Sequence, residues 1–144
     1  MKTQVTTKQS VYLIDDDESL RTALARLLIA AEFNVHSYSS AAEFLLDRDG
    51  PLRGCMVLDV RMPGGPSGLE LHRGLIRQEE MIPIIFLTGH GDIPMSVQAI
   101  KAGAFDFLTK PVPAEVLINA GDRTMLEYLL KPARNMFAKS MIEE

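Results

Sequence analysis

Short apolar runs recur along this chain and constrain its fold more than any other feature. The four strongest runs cover Val11–Ile14, Cys55–Leu58, Ile84–Leu87 and Phe105–Leu108, and a weaker, alternating run covers Val35–Tyr38. The strong runs place apolar residues at consecutive positions, whereas a half-exposed strand would alternate them with polar ones. They therefore predict strands that are buried on both faces, as in a parallel sheet covered by helices.

Patterns typical of amphipathic helices separate these runs. Between Ile14 and Val35, apolar residues recur at helical spacing after the capping-type residues Asp16 and Asp17. Further helices are predicted at about residues 40–47, 67–78 and 93–102, and from about residue 113 onward. The alternation of five strands with helices predicts a doubly wound α/β domain with right-handed crossover connections. In such domains, ligands bind beyond the carboxyl ends of the strands.

Composition and charge narrow the class of protein further. The chain has 144 residues, of which 47% are hydrophobic, and a formal net charge of −4, as expected for one globular domain. The lone cysteine, Cys55, excludes a disulfide framework and a cysteine-rich zinc site. No apolar run approaches the roughly 18 residues of a membrane span, and the acidic balance disfavours a nucleic-acid surface. We therefore expect a cytoplasmic protein with no membrane association and no direct nucleic-acid binding by this chain.

Polar side chains follow the predicted strands where a ligand would bind. Three aspartates, Asp15 to Asp17, follow the first strand, Asp59 follows the third, Thr88 the fourth and Lys110 the fifth. Two carboxylates 4 Å apart repel by about 4 kcal/mol at an effective dielectric of 20, so this group needs a cation. Oxygen ligands favour Mg²⁺, and the lysine and threonine supply donors suited to phosphoryl oxygens. The set predicts a carboxylate that accepts a phosphoryl group with the help of a metal ion.

Four segments carry a resemblance to a known family. They are Val11–Glu18 (VYLIDDDE), Val57–Pro63 (VLDVRMP), Thr88–Pro94 (TGHGDIP) and Ala102–Pro111 (AGAFDFLTKP). With these segments the chain resembles a response-regulator receiver domain of two-component signalling, and most of all the FixJ-type subgroup. The resemblance covers residues 10–121 and implies a flavodoxin-like five-stranded parallel sheet in the order 2-1-3-4-5, with helices on both faces.

The resemblance also implies a role for each residue at the strand ends. Asp59 would be the phosphoacceptor, receiving the phosphoryl group from the phosphohistidine of a sensor histidine kinase. Mg²⁺ would be held by Asp15, Asp16, Asp59 and the backbone carbonyl of Arg61. Lys110 would add positive charge, because phosphoryl transfer passes through a loose, charge-rich transition state. No enzyme activity is implied beyond catalysis of the chain's own phosphorylation and dephosphorylation.

A two-state switch follows from the same resemblance. Thr88 would bond a phosphoryl oxygen and draw its loop inward, and Phe107 would then rotate into the vacated space. The change would reach the face formed by the fourth helix, the fifth strand and the fifth helix. Through the fourth helix and the fifth strand, that face would support a homodimer of the phosphorylated chain.

The carboxyl-terminal part of the chain leaves its organisation open. We expect a receiver domain over residues 10–121 and a helical tail or the start of a linker over residues 122–144. Regulators of the FixJ type continue into a helix-turn-helix output domain, for which these residues leave no room. The chain is therefore either a receiver excised from a longer transcription regulator or a single-domain regulator that acts through protein contacts.

A second departure from the family pattern is the loop from Met62 to Gly68, which is one residue longer than usual.

Three other functions each fit part of the pattern. A phosphatase of the haloacid-dehalogenase type needs a second aspartate two residues after its nucleophile, and that position is Arg61. A flavin- or nucleotide-binding module needs a first loop that attracts phosphate, whereas the run from Asp15 to Glu18 repels it. A degenerate receiver that serves only as a protein-interaction module would not need a full set of site residues, which this chain has.

Overall fold

The computed structural model describes residues 9–125 and 127, and in it five parallel strands form one sheet in the order β2-β1-β3-β4-β5. The strands are β1 (Ser10–Ile14), β2 (Asn34–Tyr38), β3 (Gly54–Asp59), β4 (Ile84–Thr88) and β5 (Asp106–Thr109). The helices are α1 (Glu18–Ala30), α2 (Ala41–Asp47), α3 (Gly68–Arg77), α4 (Ile93–Lys101) and α5, described over residues 114–125, with a 3₁₀ turn at His90–Asp92. The predicted fold class and strand order are confirmed.

The burial of the central strands explains why their sequences lack alternation. Every residue of β3 and of β4 is buried, because helices cover both faces of the sheet at these strands. β5 begins at Asp106, one residue later than the apolar run predicts. The backbone N–H of Phe105 already donates to the carbonyl of Ile84 at 2.8 Å, so the chain joins the sheet before the regular ladder starts.

Two apolar clusters lie on opposite faces of the sheet. One packs α2, α3 and α4 against strand residues that include Ile14, Leu58 and Phe86. The other packs α1 and α5 against strand residues that include Leu13 and Val57. Cys55 is buried in the second cluster and its thiol is free. Apolar packing therefore covers both faces of the sheet.

Helix starts follow the capping residues in the sequence. The carboxylate of Asp17 accepts a hydrogen bond from the backbone N–H of Leu20 at 3.1 Å, so α1 begins directly after it. At α3, the hydroxyl of Ser67 accepts from the N–H of Glu70, and the Glu70 carboxylate accepts from the N–H of Ser67. This capping box fixes the first turn of α3 next to the end of β3.

Part of the predicted tail lies outside the described residues. A tail over residues 122–144 was expected, and only residues 122–125 and 127 of it are described, all of them helical. The sequence also predicts that Pro132 ends or kinks the fifth helix, with a short helix beyond it, and both features lie outside the described part. Over the residues that the structure covers, no helix is both long enough and apolar enough to cross a membrane.

Candidate functional site

Two carboxylates meet at the carboxyl end of the sheet. Asp59 is the last residue of β3, and Asp15 directly follows β1, the strand paired with β3. Asp15 is fully buried and Asp59 is only 5% exposed. Parallel pairing brings the ends of neighbouring strands to one edge, so the two acidic side chains are enclosed at the same place. We call Asp15, Asp16, Asp59 and Lys110 the acidic pocket.

A lysine ammonium contacts both buried carboxylates. Nζ of Lys110 lies 3.1 Å from Oδ2 of Asp15 and 3.3 Å from Oδ2 of Asp59. Lys110 follows β5, and its backbone N–H donates to the carbonyl of Thr88 at 2.8 Å, which ties the start of its loop to β4. The peptide bond between Lys110 and Pro111 is cis. The carboxyl ends of β1, β3 and β5 thus supply the charged groups of the pocket.

The charges of the pocket perturb one another. The pKa of the Asp59 carboxyl is raised to about 6, chiefly by burial and also by the neighbouring Asp15 charge, against the opposing pull of Lys110. Burial alone would lower the pKa of Lys110, but the Asp15 and Asp59 charges outweigh it and leave that pKa raised. The ammonium therefore stays charged, while one lysine does not fully compensate two buried carboxylates.

The pocket has the donor set of a divalent metal site. Asp15, Asp16 and Asp59 each offer a carboxylate oxygen, and these oxygens all lie within 4.8 Å of one another. Oδ2 of Asp15 is buried, and no described donor makes a hydrogen bond to it. Its contact with the Lys110 ammonium at 3.1 Å is an ion pair, so the oxygen keeps a lone pair for a metal ion. Oxygen-only ligands with excess negative charge fit Mg²⁺.

The backbone after Asp59 turns tightly beside the Asp59 side chain. The N–H of Arg61 donates to Oδ1 of Asp59 at 3.3 Å, so the peptide of Arg61 lies against the Asp59 carboxylate. Gly68, the first residue of α3, donates its N–H to the carbonyl of Val60. A Cβ at Gly68 would collide with the carbonyl oxygen of Asp59. Because residue 68 has no side chain, the start of α3 can approach the end of β3 this closely.

The two predicted switch residues lie on the neighbouring strands. Thr88 ends β4, is fully buried, and donates its hydroxyl proton to the carbonyl of Gly89 at 3.0 Å. Phe107 lies in β5 opposite Phe86 and packs, half-buried, against the apolar cluster that contains α3 and α4. The Thr88 hydroxyl thus bonds its own loop in this structure, next to the strand that carries Asp59.

One contact beside the pocket was not anticipated from the sequence. The guanidinium of Arg61 donates to Oδ1 of Asp92 from Nε at 3.0 Å and from Nη2 at 2.6 Å. Asp92 was not singled out, although it belongs to the segment TGHGDIP after β4. The available signal was the presence of opposite charges in two loops that both leave the carboxyl end of the sheet.

The histidine of α3 plays no part in this site. His72 is buried against Phe86 in an edge-to-face contact with 5.6 Å between ring centroids. Burial lowers the pKa of His72, and the nearby Arg73 charge lowers it further. A neutral imidazole in this position contributes to packing in the core.

Comparison with known proteins assigns the family. The model of the response regulator receiver domain matches residues 11–122, and this chain belongs to that family. The response regulator TodT of Pseudomonas putida is 50% identical over 110 residues, which are 76% of this chain and 48% of TodT. The transcriptional regulatory protein FixJ of Bradyrhizobium diazoefficiens is 47% identical over 107 residues, which are 74% of this chain and 52% of FixJ.

A solved structure agrees with these relatives. The response regulator StyR superimposes with a TM-score of 0.81 at 39% identity, over 95% of this chain and 69% of StyR. The resemblance to the FixJ-type subgroup is confirmed by these comparisons. This chain spans about half the length of TodT and FixJ. Receiver domains of two-component systems bind Mg²⁺ at an acidic pocket and are phosphorylated by histidine kinases.

Proposed function

We propose that Asp59 of this chain accepts a phosphoryl group from the phosphohistidine of a sensor histidine kinase. The contact of Lys110 with two buried carboxylates carries the proposal, because it places positive charge beside an enclosed nucleophile. In the transfer, a carboxylate oxygen of Asp59 forms a bond to phosphorus while the N–P bond of the phosphohistidine breaks. The imidazole leaves with the electron pair of that bond. The product is an acyl phosphate on Asp59.

The other residues of the pocket position and neutralise the transferred group. Asp15, Asp16, Asp59 and the backbone carbonyl of Arg61 would hold Mg²⁺, which when bound supplies positive charge to the phosphoryl oxygens. Lys110, which follows β5, provides a second positive charge. Since the transition state of phosphoryl transfer is loose and rich in charge, alignment and neutralisation account for the catalysis.

The modification would act on a two-state element at the end of β4. The Thr88 hydroxyl, bonded to Gly89 in this structure, would donate to a phosphoryl oxygen instead. This exchange would draw the 3₁₀ turn toward the pocket and leave space for Phe107 to reorient. One covalent change would thus shift the population of a conformation on the face of α4, β5 and α5.

We further propose that this face passes the signal to an output. Ile93 and Val97 of α4 are exposed apolar residues one helical turn apart, as expected for a homodimer through α4 and β5. The word transcriptional in the name of FixJ supports a role in transcription regulation, exerted from the cytoplasm through an output domain. In this proposal the chain itself makes no direct contact with nucleic acid or membrane.

Acetyl phosphate tests the acceptor assignment without a kinase. Wild type, Asp59→Asn and the control Asp49→Asn, which changes an exposed loop aspartate, are incubated with acetyl phosphate in Mg²⁺ or in EDTA. Intact mass should show one phosphoryl group on wild type and on the control only with Mg²⁺, and none on Asp59→Asn. An unmodified wild type, or equal modification of Asp59→Asn, would contradict the proposal and favour a protein-interaction module.

A further inference from the structure

The ion pair between Arg61 and Asp92 joins two loops that border the acidic pocket. Arg61 is two residues beyond Asp59, and Asp92 is four residues beyond Thr88, at the end of the 3₁₀ turn. Two guanidinium nitrogens of Arg61 converge on one carboxylate oxygen of Asp92, at 2.6 and 3.0 Å. Nη2 also lies 3.5 Å from the sulfur of Met95. The guanidinium is therefore directed toward α4 at the rim of the pocket.

The two partners differ in how firmly the protein holds them. The Arg61 side chain is 64% exposed, whereas that of Asp92 is 15% exposed. The backbone N–H of Asp92 donates to the carbonyl of Gly89 at 3.0 Å, which holds the backbone of Asp92 in the 3₁₀ turn. Since the surrounding protein leaves the arginine largely open to solvent, its hydrogen bonds to Asp92 are the main constraint that the described contacts place on it.

The base of the arginine lies at the acceptor. The backbone N–H of Arg61 donates to Oδ1 of Asp59, so the side chain starts beside the carboxylate that would be phosphorylated. A guanidinium is an effective partner for phosphoryl oxygens, because its planar set of donors matches their geometry. With Asp92 neutralised, the same side chain could turn toward a phosphoryl group on Asp59.

We propose that Asp92 is a positioning residue that holds the guanidinium of Arg61 outside the acidic pocket and thereby limits the rate at which Asp59 is phosphorylated. The inference rests on the proposed function of Asp59. The double contact of the guanidinium with Oδ1 of Asp92, at 2.6 and 3.0 Å, supports it, because this contact holds the guanidinium on the loop that follows β4.

A purely structural role of this pair predicts a different result. If the pair only fixed the 3₁₀ turn, loss of either partner would loosen the turn in the same way. If Asp92 restrains Arg61, its removal affects the acceptor only while a cation remains at position 61. The two roles are therefore separated by the effect of Asp92→Asn in the presence and in the absence of that cation.

The experiment measures initial rates of phosphorylation by acetyl phosphate at saturating Mg²⁺, followed by intact mass. The proteins are wild type, Asp92→Asn, Arg61→Gln and the double variant, with thermal unfolding of each as the test of folding. Glu80→Gln is the matched control, because it breaks the ion pair of Arg48 and Glu80, whose closest distance is 2.8 Å, away from the pocket.

We expect Asp92→Asn to raise the rate about two- to fivefold, the range typical of a single exposed charge interaction. In the Arg61→Gln background, Asp92→Asn should give no acceleration. In a further background, Arg61→Lys, Asp92→Asn should still accelerate the reaction in part, because a cation remains at position 61. The Glu80→Gln control should match wild type.

Three results would overturn the inference. The first is an unchanged or lower rate for folded Asp92→Asn, and the second is equal acceleration by Asp92→Asn with and without Arg61. In both cases modification of wild type would leave the proposed function intact. The third, no modification of wild type, would overturn the proposed function and this inference together.

Discussion

The acidic pocket and the first turn of α2 both carry carboxylates, but the protein treats their charges in opposite ways. Glu43 in α2 accepts hydrogen bonds from the backbone N–H and the hydroxyl of Ser39, at 2.6 and 2.9 Å, and these bonds lower its pKa. Asp59 has its pKa raised to about 6 by burial and by the neighbouring Asp15. At neutral pH, the charge at the helix start favours the folded state, whereas the charge in the pocket opposes it.

This difference separates a structural use of acidic residues from a functional one. A carboxylate at a helix N-terminus meets unpaired N–H groups and the positive end of the helix dipole, so its charge is compensated locally. The pocket instead has three aspartates against Lys110 within the reach of one metal ion. Negative charge that the folded protein does not itself compensate remains available for a bound cation. The following changes test this contrast, in order of decreasing expected effect.

The largest effect is expected where the pocket adjoins the start of α3. Gly68→Ala should lower the free energy of unfolding by about 3 kcal/mol or more, because the new Cβ would collide with the carbonyl oxygen of Asp59. Chemical denaturation measures the loss. Gly65→Ala is the control, since a Cβ there meets no atom within 4 Å. Similar stability of the two variants would show that the start of α3 does not pack tightly against the end of β3.

Asp59→Asn should stabilise the protein in EDTA at neutral pH. A pKa raised from 3.8 to about 6 corresponds to at most about 3 kcal/mol of unfavourable interaction of the ionised group. We expect a gain of about 1–2 kcal/mol, because Lys110 loses one of its two partners in the variant. Thermal and denaturant unfolding measure it. A loss of stability would mean that Lys110 compensates both carboxylates.

The stabilisation by Asp59→Asn should depend on pH with a definite sign. Because the pKa of Asp59 in the folded state, about 6, lies above the ordinary value of 3.8, the carboxylate opposes folding only where it is ionised. The cost is absent below the lower value, develops between the two, and is complete above the higher one. The difference in unfolding free energy between variant and wild type should therefore shrink as pH falls below about 6 and vanish near pH 4. A constant difference would reject burial of the charge as its cause.

Loss of the α3 cap should lower the free energy of unfolding, by less than Asp59→Asn raises it. Ser67→Ala removes the hydroxyl that accepts from the N–H of Glu70 at 3.1 Å, and we expect it to cost about 1 kcal/mol. Urea unfolding measures the loss, with Ser67→Asp as a capping replacement that should recover most of it. Equal losses in the two variants would show that the capping bond does not stabilise α3.

The smallest effect is expected at the start of α2. Glu43→Gln should lower the free energy of unfolding by about 0.3–1 kcal/mol at neutral pH, because it removes a charge near a helix N-terminus. Since the pKa of Glu43 is lowered in the folded protein, this contribution is present above the usual range of a glutamate pKa and is lost as pH falls. A stabilising Glu43→Gln would remove the contrast with Asp59.

The sequence predicted those features that depend on local pattern. Strands buried on both faces need apolar residues at consecutive positions, so the runs at β3 and β4 located these strands directly. Asp17 was recognisable as a cap, because a helical pattern starts immediately after it. The order of the strands came from the family resemblance, since apolar runs do not encode which strands are neighbours.

The remaining features depend on distances between separate loops. Arg61 and Asp92 are 31 residues apart in the chain, and only the three-dimensional path of both loops brings them within hydrogen-bond distance. The raised pKa of Asp59 likewise depends on its burial and on the approach of Asp15 from another strand. Sequence spacing identified the acidic residues of the pocket but not the balance of charge among them.

Mapping the phosphorylated residue tests the central proposal most directly. An acyl phosphate on aspartate is reduced by borohydride to the alcohol, which converts the phosphorylated aspartate into homoserine. The protein is treated with acetyl phosphate and Mg²⁺, reduced, digested and sequenced by mass spectrometry. We expect homoserine at position 59 alone. Homoserine in place of Asp15 or Asp16, or at no position, would contradict the assignment of Asp59 as the phosphoacceptor.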